Sequence, residues 1–425
     1  MSSTAGSKSS SAGGSANSSG SSSTAGTGPS TDVPPPHVVG KCDGLGKVGE
    51  WEDISPPGMV KEAPYAGALV VLTDPNNSGT LYVTTSKNGI FKSTDCGASW
   101  EKRNTGRNGA QLDMGSIWSA ALDPVQPDTI YALTGYGPNG LWKSTNGGKD
   151  WDNMLPDPES LGVPGFVARV ALDPTNHEHV LINFHDNCTK GHTPVCFGES
   201  KNGGQTWEIL DFPTSLKNGW GEGTAVWPID STHWLFEYWE LYYTPDAGKT
   251  WSQADTGGFA AIQGPFTKAP DGTFFIPSAN GVISSPDGAK WNKIENSGGP
   301  FDAIVACGEN VFALVGFQPP TTPAIAWSAN HKTPTKWDVV PADAIPQPIL
   351  SGGNYIECDH DHKILYSAIQ ATGLWRMVTE AGGSSTPAGG AGGARSGGAG
   401  GVGGANGGAG GNGGAGGSVS SDAPP

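Results

Sequence analysis

One short block recurs along this chain at intervals of 41 to 56 residues, and a chain that repeats itself at such a period has few folds open to it. The block reads Ser93-Thr-Asp95-Cys-Gly97-Ala-Ser-Trp100, then Ser144-Thr-Asn146-Gly-Gly148-Lys-Asp-Trp151, Ser200-Lys-Asn202-Gly-Gly204-Gln-Thr-Trp207 and Thr244-Pro-Asp246-Ala-Gly248-Lys-Thr-Trp251. Ser285-Pro-Asp287-Gly-Ala-Lys-Trp291 is one residue short, and Ser328 to Trp337 is a degenerate copy with an insertion. The chemistry of the block is local. Its Asp or Asn side chain is expected to accept backbone N–H bonds two residues on, and its Gly supplies the positive φ that the turn requires. The Trp opens the next strand and packs between neighbouring units. These blocks therefore build the fold and do not catalyse.

The strand before each block gives a second ruler. It reads Gly89-Ile-Phe91, Gly140-Leu-Trp142, Cys196-Phe-Gly198, Leu241-Tyr-Tyr243, Gly281-Val-Ile283, Ile325-Ala-Trp327 and Gly373-Leu-Trp375, which makes seven such strands. Each needs an outer strand after it, yet the chain beyond Trp375 soon becomes Gly-rich. The missing strand lies at the other end, where Gly49-Glu-Trp51-Glu-Asp-Ile54 matches Thr206-Trp207-Glu-Ile209 and Lys290-Trp291-Asn-Lys-Ile294. Inner strands are expected near Leu69–Leu72, Ser119–Leu122, Val170–Leu172, Ala225–Trp227, Pro265–Lys268, Ile304–Ala306 and Tyr355–Glu357. The predicted fold is all-β, a single seven-bladed β-propeller closed by an N-terminal outer strand, which leaves no free edge in the closing sheet.

The pattern Ser-x-Asp-x-Gly-x-Thr-Trp resembles the Asp-box (BNR) repeat of sialidases, sortilin-type receptors and xyloglucan-hydrolysing propellers. The Leu-Asp-Pro turns and Gly-Leu-Trp-Lys-Ser strands bring the xyloglucan-hydrolysing group closest in repeat style, over residues 49 to 380, and the repeat also resembles photosystem assembly propellers. The resemblance implies a carbohydrate-related function, either cleavage of a glycan or non-catalytic recognition of a glycan or protein. It does not fit a sialidase, which clusters three arginines on its substrate carboxylate. The five arginines here are Arg103, Arg107, Arg169, Arg376 and Arg395, of which two at most reach the predicted ligand face. The xyloglucan-hydrolysing enzymes set their cleft between two tandem propellers, and this sequence holds one.

Composition divides the chain. Residues 1–36 are Ser, Gly, Ala and Thr with almost no large apolar residue, and residues 381–425 are Gly- and Ala-rich, so both are expected to be disordered tails. Residues 37–380 carry all 15 Trp and all six Cys and form the folded unit. Net charge is 24 − 40 = −16, which disfavours nucleic acid as a partner. No apolar run is long enough to span a membrane. The first thirty residues lack the apolar stretch of a secretory signal. Their Ser-rich composition resembles the spacer behind the anchor cysteine of bacterial lipoproteins. An even cysteine count fits an oxidising compartment, so an extracellular or cell-surface monomer is expected, with its leader outside this sequence. Cys188 and Cys196 bracket one loop and are expected to pair. Cys42, Cys96, Cys307 and Cys358 share the lower face, where Cys42 could join either Cys358 or Cys96.

Ligands of such rings usually sit on the upper face, built by the loops from an outer strand to the next inner strand and by the loops joining second and third strands. There the sequence places Tyr65, Trp118, Arg169, His185, Trp220, Trp239 and Tyr355 as substrate-binding candidates, because aromatic faces stack on sugar rings and polar groups bond their hydroxyls. Gln347 and Gln370 belong to the same loops. Asp113, Glu222 and Asp302 are the catalytic candidates, since a glycosidase needs two carboxyls on either side of the bond. His185, Asp186 and His192 have the residue types of a metal or acid–base cluster and equally those of a polar loop pinned by a disulfide. No cofactor or metal is expected.

Overall fold

The computed structural model describes residues 33–61, 66–216, 225–238, 240–258, 266–278, 280–298, 301–315, 324–341, 353–369 and 372–380. They form seven four-stranded antiparallel sheets around one axis. Blade 1 runs Ala68–Thr73, Leu81–Thr85, Ile90–Ser93 and Glu101–Lys102. Blades 2 to 6 begin with inner strands Ser116–Leu122, Val167–Asp173, Ala225–Pro228, Thr267–Lys268 and Phe301–Cys307. Blade 7 takes Gly353–Asp359, Ile364–Ile369 and Gly373–Val378 from the C-terminal side and its outer strand, Trp51–Asp53, from the N-terminal side. The register is Trp51 opposite Met377, Glu52 opposite Arg376 and Asp53 opposite Trp375, so the closing strand is the one the sequence predicts.

Sheets stacked face to face around a ring bury both sides of their inner strands. Ala68, Leu69, Val70 and Val71 are accordingly all buried, and an alternating pattern gives way to a continuous apolar run. The strand-opening Trp side chains fill the clefts between blades. Trp100 Nε1 donates to the Ile54 carbonyl of blade 7 at 2.7 Å, and Trp207 Nε1 to the Met154 carbonyl of blade 2 at 2.9 Å. Trp151 and Trp291 are buried and donate back to Gly148 and Gly288 of their own turns.

The repeated turn uses its polar residues in a fixed way. In blade 1 the Ser93 hydroxyl donates to Asp95 (2.7 Å) and accepts from the Gly97 N–H (2.8 Å), while Asp95 accepts from the Ser99 N–H (2.8 Å). The same bonds recur at Ser144–Asn146–Gly148–Asp150, Ser200–Asn202–Gly204–Thr206 and Thr244–Asp246–Gly248–Thr250. The acceptor therefore reaches four residues on, where the sequence suggested two. The two irregular copies use the nearer partner, with Asp287 accepting from the Ala289 N–H at 2.9 Å and Asn330 from the Lys332 N–H at 3.0 Å. Gly97 at φ 88° and its counterparts Gly148, Gly204 and Gly248 hold the left-handed conformation that closes this turn.

On the lower face, the turn joining first and second strands is capped by an aspartate in six blades: Asp74, Asp123, Asp173, Asp230, Asp271 and Asp359. In four of them the second carboxylate oxygen fastens the next blade. Asp123 meets His177 at 2.9 Å, Asp173 accepts from Ser231 at 2.5 Å, Asp271 meets His331 at 3.2 Å, and Asp359 accepts from the Gly79 N–H at 2.7 Å. Disulfides add three staples. Cys188–Cys196 forms as expected, Cys42 pairs with Cys96 of blade 1, and Cys307–Cys358 joins the inner strands of blades 6 and 7.

Trp51→Ala is expected to cost about 3–5 kcal/mol, because it empties a buried inter-blade slot and loosens the closing strand. Asp95→Ala is expected to cost about 1 kcal/mol through partly solvated hydrogen bonds. Denaturant titration of the two variants checks the order, and equal losses would contradict it.

A second expectation concerns pH. His179 lies between Asp173 at 2.8 Å and Glu199 at 3.1 Å, all three buried. Burial opposes charge at every one of them. The mutual hydrogen bonds outweigh it, raising His179, lowering Glu199 and bringing Asp173 down to about 2. The carboxylates stabilise the fold above their unfolded values and lose that contribution as pH falls toward 2. The raised imidazole contributes fully below 6.5 and loses its share as pH rises through its folded value. Asp173→Asn should therefore be less stable than the parent at pH 5 and should narrow that gap as pH falls from 4 to 2, as followed by thermal melts.

Candidate binding face

Five inner strands carry a register shift near their upper ends: between Ala68 and Val70, Ser116 and Ser119, Val167 and Arg169, Phe301 and Ala303, and Gly353 and Tyr355. A bulge of this kind breaks strict alternation and re-aims side chains, which is why bulges gather beside binding sites. Four of the candidates from sequence sit in or beside these shifts: Trp118, Arg169, Asp302 and Tyr355.

Above blades 2 and 3, Trp118 and a further candidate, His185, belong to one aromatic cluster. Trp118 meets Tyr136 edge-on at 5.9 Å between ring centroids, and Tyr136 meets Phe166 edge-on at 5.2 Å. Phe166 stacks flat on His185 at 4.3 Å. The Tyr136 hydroxyl lies 3.5 Å from His185 Nε2, and His185 Nδ1 lies 3.1 Å from Asp186. Tyr136 is 61 % exposed and holds φ 51°, a left-handed backbone that a bulky residue rarely adopts. Sequence reading missed Tyr136 and Phe166. Their signal is present, since Gly135-Tyr136-Gly137-Pro138 is a second-to-third-strand turn and Gly165-Phe166 precedes an inner strand.

Deeper in the channel, Arg169 donates to the Trp118 carbonyl at 3.2 Å, and its charge acts on both Tyr355 and Glu237. Tyr355 is buried, and burial pushes its hydroxyl up to about 12 despite Arg169. Glu237, another residue that sequence reading missed, is fully buried near the upper end of the second strand of blade 4 and accepts from Trp227 Nε1 at 3.2 Å. Burial drives its carboxyl well above the usual range, so the neutral acid is favoured although Trp227 and Arg169 pull the other way.

The remaining candidates are placed differently. Asp113 follows a single helical turn, Gly109–Leu112, and is held by Lys102 Nζ at 2.9 Å and the Asn104 amide at 2.8 Å. Asp302 is half-buried at the bulge of blade 6. His192 turns to Asp211 at 3.0 Å, apart from the His185–Asp186 pair. Tyr65, Trp220, Glu222 and Trp239, with Gln347 and Gln370, lie outside the described residues. Arg103 pairs with Glu101 and Arg107 with Asp152, while Arg376 is taken by Glu52 at 2.8 Å. Among the described arginines, Arg169 is the one placed in the channel. The metal-ligating residue types that converge among the described residues are Cys42, Cys96, Asp359 and His362, and there the cysteines are joined in a disulfide, so they offer no thiolate.

Comparison with protein-family models and with curated proteins finds no match. Solved structures are similar in fold at low identity. A GH74 xyloglucanase from Xanthomonas campestris matches with a TM-score of 0.55 and 15 % identity, over 78 % of this chain and 54 % of that one. YCF48 bound to D1 peptide matches with a TM-score of 0.52 and 15 % identity, over 79 % of this chain and 99 % of that one. The extracellular domain of a putative hybrid two-component system from B. thetaiotaomicron matches with a TM-score of 0.54 and 10 % identity, over 75 % and 41 %. The chain thus spans about half the length of the xyloglucanase, and the likeness shows the fold, a seven-bladed β-propeller.

Proposed function

We propose that this chain is an Asp-box propeller of the extracellular space or cell surface that binds a glycan on its upper face, over blades 2 and 3. The observation that carries the reading is the cluster of Trp118, Tyr136, Phe166 and His185, with Tyr136 held exposed on a left-handed backbone. Aromatic faces with polar tips suit sugar rings, whose C–H faces stack while their hydroxyls bond to imidazole, phenol and guanidinium. The xyloglucanase among the structural neighbours supports a carbohydrate-related role, and the extracellular domain of the two-component system supports an extracellular one. Three disulfides support an oxidising compartment.

Binding without cleavage is the form of the reading favoured here. A glycosidase needs two carboxyls roughly 5 to 9.5 Å apart and free to act, and Asp113 is held by Lys102 and Asn104. Glu222 and Asp302 stand as the carboxyls for a cleaving variant of the same face. A peptide is the second ligand class. It is favoured by the 99 % coverage of YCF48 bound to D1 peptide, a match at the scale of one whole propeller.

A glycan array followed by calorimetry on the best ligand tests the reading. Tyr136→Ala should weaken binding about 10- to 30-fold, near 1.4–2 kcal/mol, with little change in melting temperature because the side chain is exposed. Absence of any bound glycan, or full affinity in both Tyr136→Ala and Trp118→Ala, overturns it. Turnover of the bound glycan that Asp302→Asn abolishes would establish cleavage instead.

A further inference from the structure

The opposite, lower mouth of the channel holds a pocket of about 600 Å³ between blades 7, 1 and 2, a size that suits a small organic molecule. Its rim is built. Residues Val38–Val39 pair in parallel with Asn77–Ser78, His37 bridges the Pro75 carbonyl at 3.0 Å and Asp361 at 2.6 Å, and Cys42–Cys96 anchors the segment. Four carboxyl groups stand in the lining, and among the described residues no Lys or Arg does.

Three of the four lining carboxylates are committed. Asp74 and Asp359 cap their own turns, and Asp361 is paired with His37. Glu357 is the exception. It projects from the inner strand of blade 7, is hydrogen-bonded to the Thr73 hydroxyl, and among the described lining carboxyls is the one held by neither a turn N–H nor a histidine. Leu72 and Leu122 supply an apolar wall beside it.

We propose that this pocket binds a small organic ammonium ion, its nitrogen against Glu357 and its carbon body along Leu72 and Leu122. The lining disfavours an anion because, among the described residues, no Lys or Arg faces it and the His37 imidazole is taken by Asp361. A divalent metal would need several oxygen ligands free of other ties, and the three lining aspartates are already held by turn N–H groups or by His37. Burial raises the empty-state Glu357 carboxyl to about 8, so at pH 7 it is mostly the neutral acid. An incoming ammonium replaces the lost hydration and favours the carboxylate. Glu357 then releases its proton to solvent while the ligand keeps its own, and no covalent bond changes. The other titratable groups facing the pocket are His37, His360, Asp74, Asp359 and Asp361. The Glu357→Gln variant separates their protons from that of Glu357.

Calorimetry at pH 7 in two buffers of different ionisation enthalpy reads the released proton. The ammonium probes are 1,5-diaminopentane and glucosamine, with 1-pentanol and glucose as their neutral counterparts. The expected result is that at least one amine binds, its neutral counterpart does not, and close to one proton is released. Affinity should rise nearly tenfold from pH 6 to pH 7. Glu357→Gln should abolish the proton release and weaken binding at least about tenfold. Leu122→Lys, which places a tethered ammonium in the half-exposed mouth, should block the amine while the fold persists. Absence of amine binding at about 10 mM, or unchanged affinity and proton release in Glu357→Gln, overturns the proposal. Tyr136→Ala should leave amine binding intact, so the two faces are judged separately.

Discussion

The pairing of Trp51–Asp53 with Trp375–Met377 is the contact on which the ring depends. Seven sheets on one axis leave two open edges unless the last is completed by the first part of the chain, and an open edge in such a sheet invites other strands. Backbone pairing over three residues is a short seam, and side chains reinforce it. Arg376, nearly buried, donates to Glu52, to the Cys96 carbonyl at 2.8 Å and to the Gly44 carbonyl at 3.0 Å. One guanidinium thus joins the closing strand, the segment before it and the first blade. Both ends of the channel owe their shape to that closure, because the inner strands of blades 7, 1 and 2 meet only in a closed ring.

Within the ring, order is divided by face. The lower face commits its aspartates to structure, six of them capping turns and four of those also holding the neighbouring blade. The upper face has fewer such fastenings and carries the bulges. Register shifts near the start of five inner strands turn Trp118, Arg169, Asp302 and Tyr355 out of strict alternation. A rigid lower rim with a more variable upper rim is a division that lets loop chemistry change without loss of the ring.

Periodicity made the architecture readable from the sequence. Seven third strands, the transposed outer strand and the Cys188–Cys196 bridge each rest on residues close in sequence or on a count. The other disulfides were less legible because four cysteines converge on one face, where sequence distance carries no information about proximity. The partner of Asp113 was hidden for the same reason, since Lys102 comes from the outer strand of the preceding blade. Tyr136 sits in a turn of a kind usually read as polar punctuation, and only its φ and exposure mark it out. Glu237 directly follows the apolar run Trp234-Leu235-Phe236, where its spacing resembles that of any strand residue. Its burial is a property of the assembled ring.

The Cys42–Cys96 bridge has a mechanical consequence. Trp51 opposes Met377, so the N-terminal end of the closing strand and the C-terminal end of its partner lie side by side. A pull on both flanking segments would peel such a pair apart one hydrogen bond at a time, the geometry of least resistance. Cys42 precedes the closing strand, and its disulfide carries any tension arriving from the N-terminal side into the first blade at Cys96. The load therefore bypasses the seam, and in an oxidised molecule the ring can be tugged by its leading end without being unzipped.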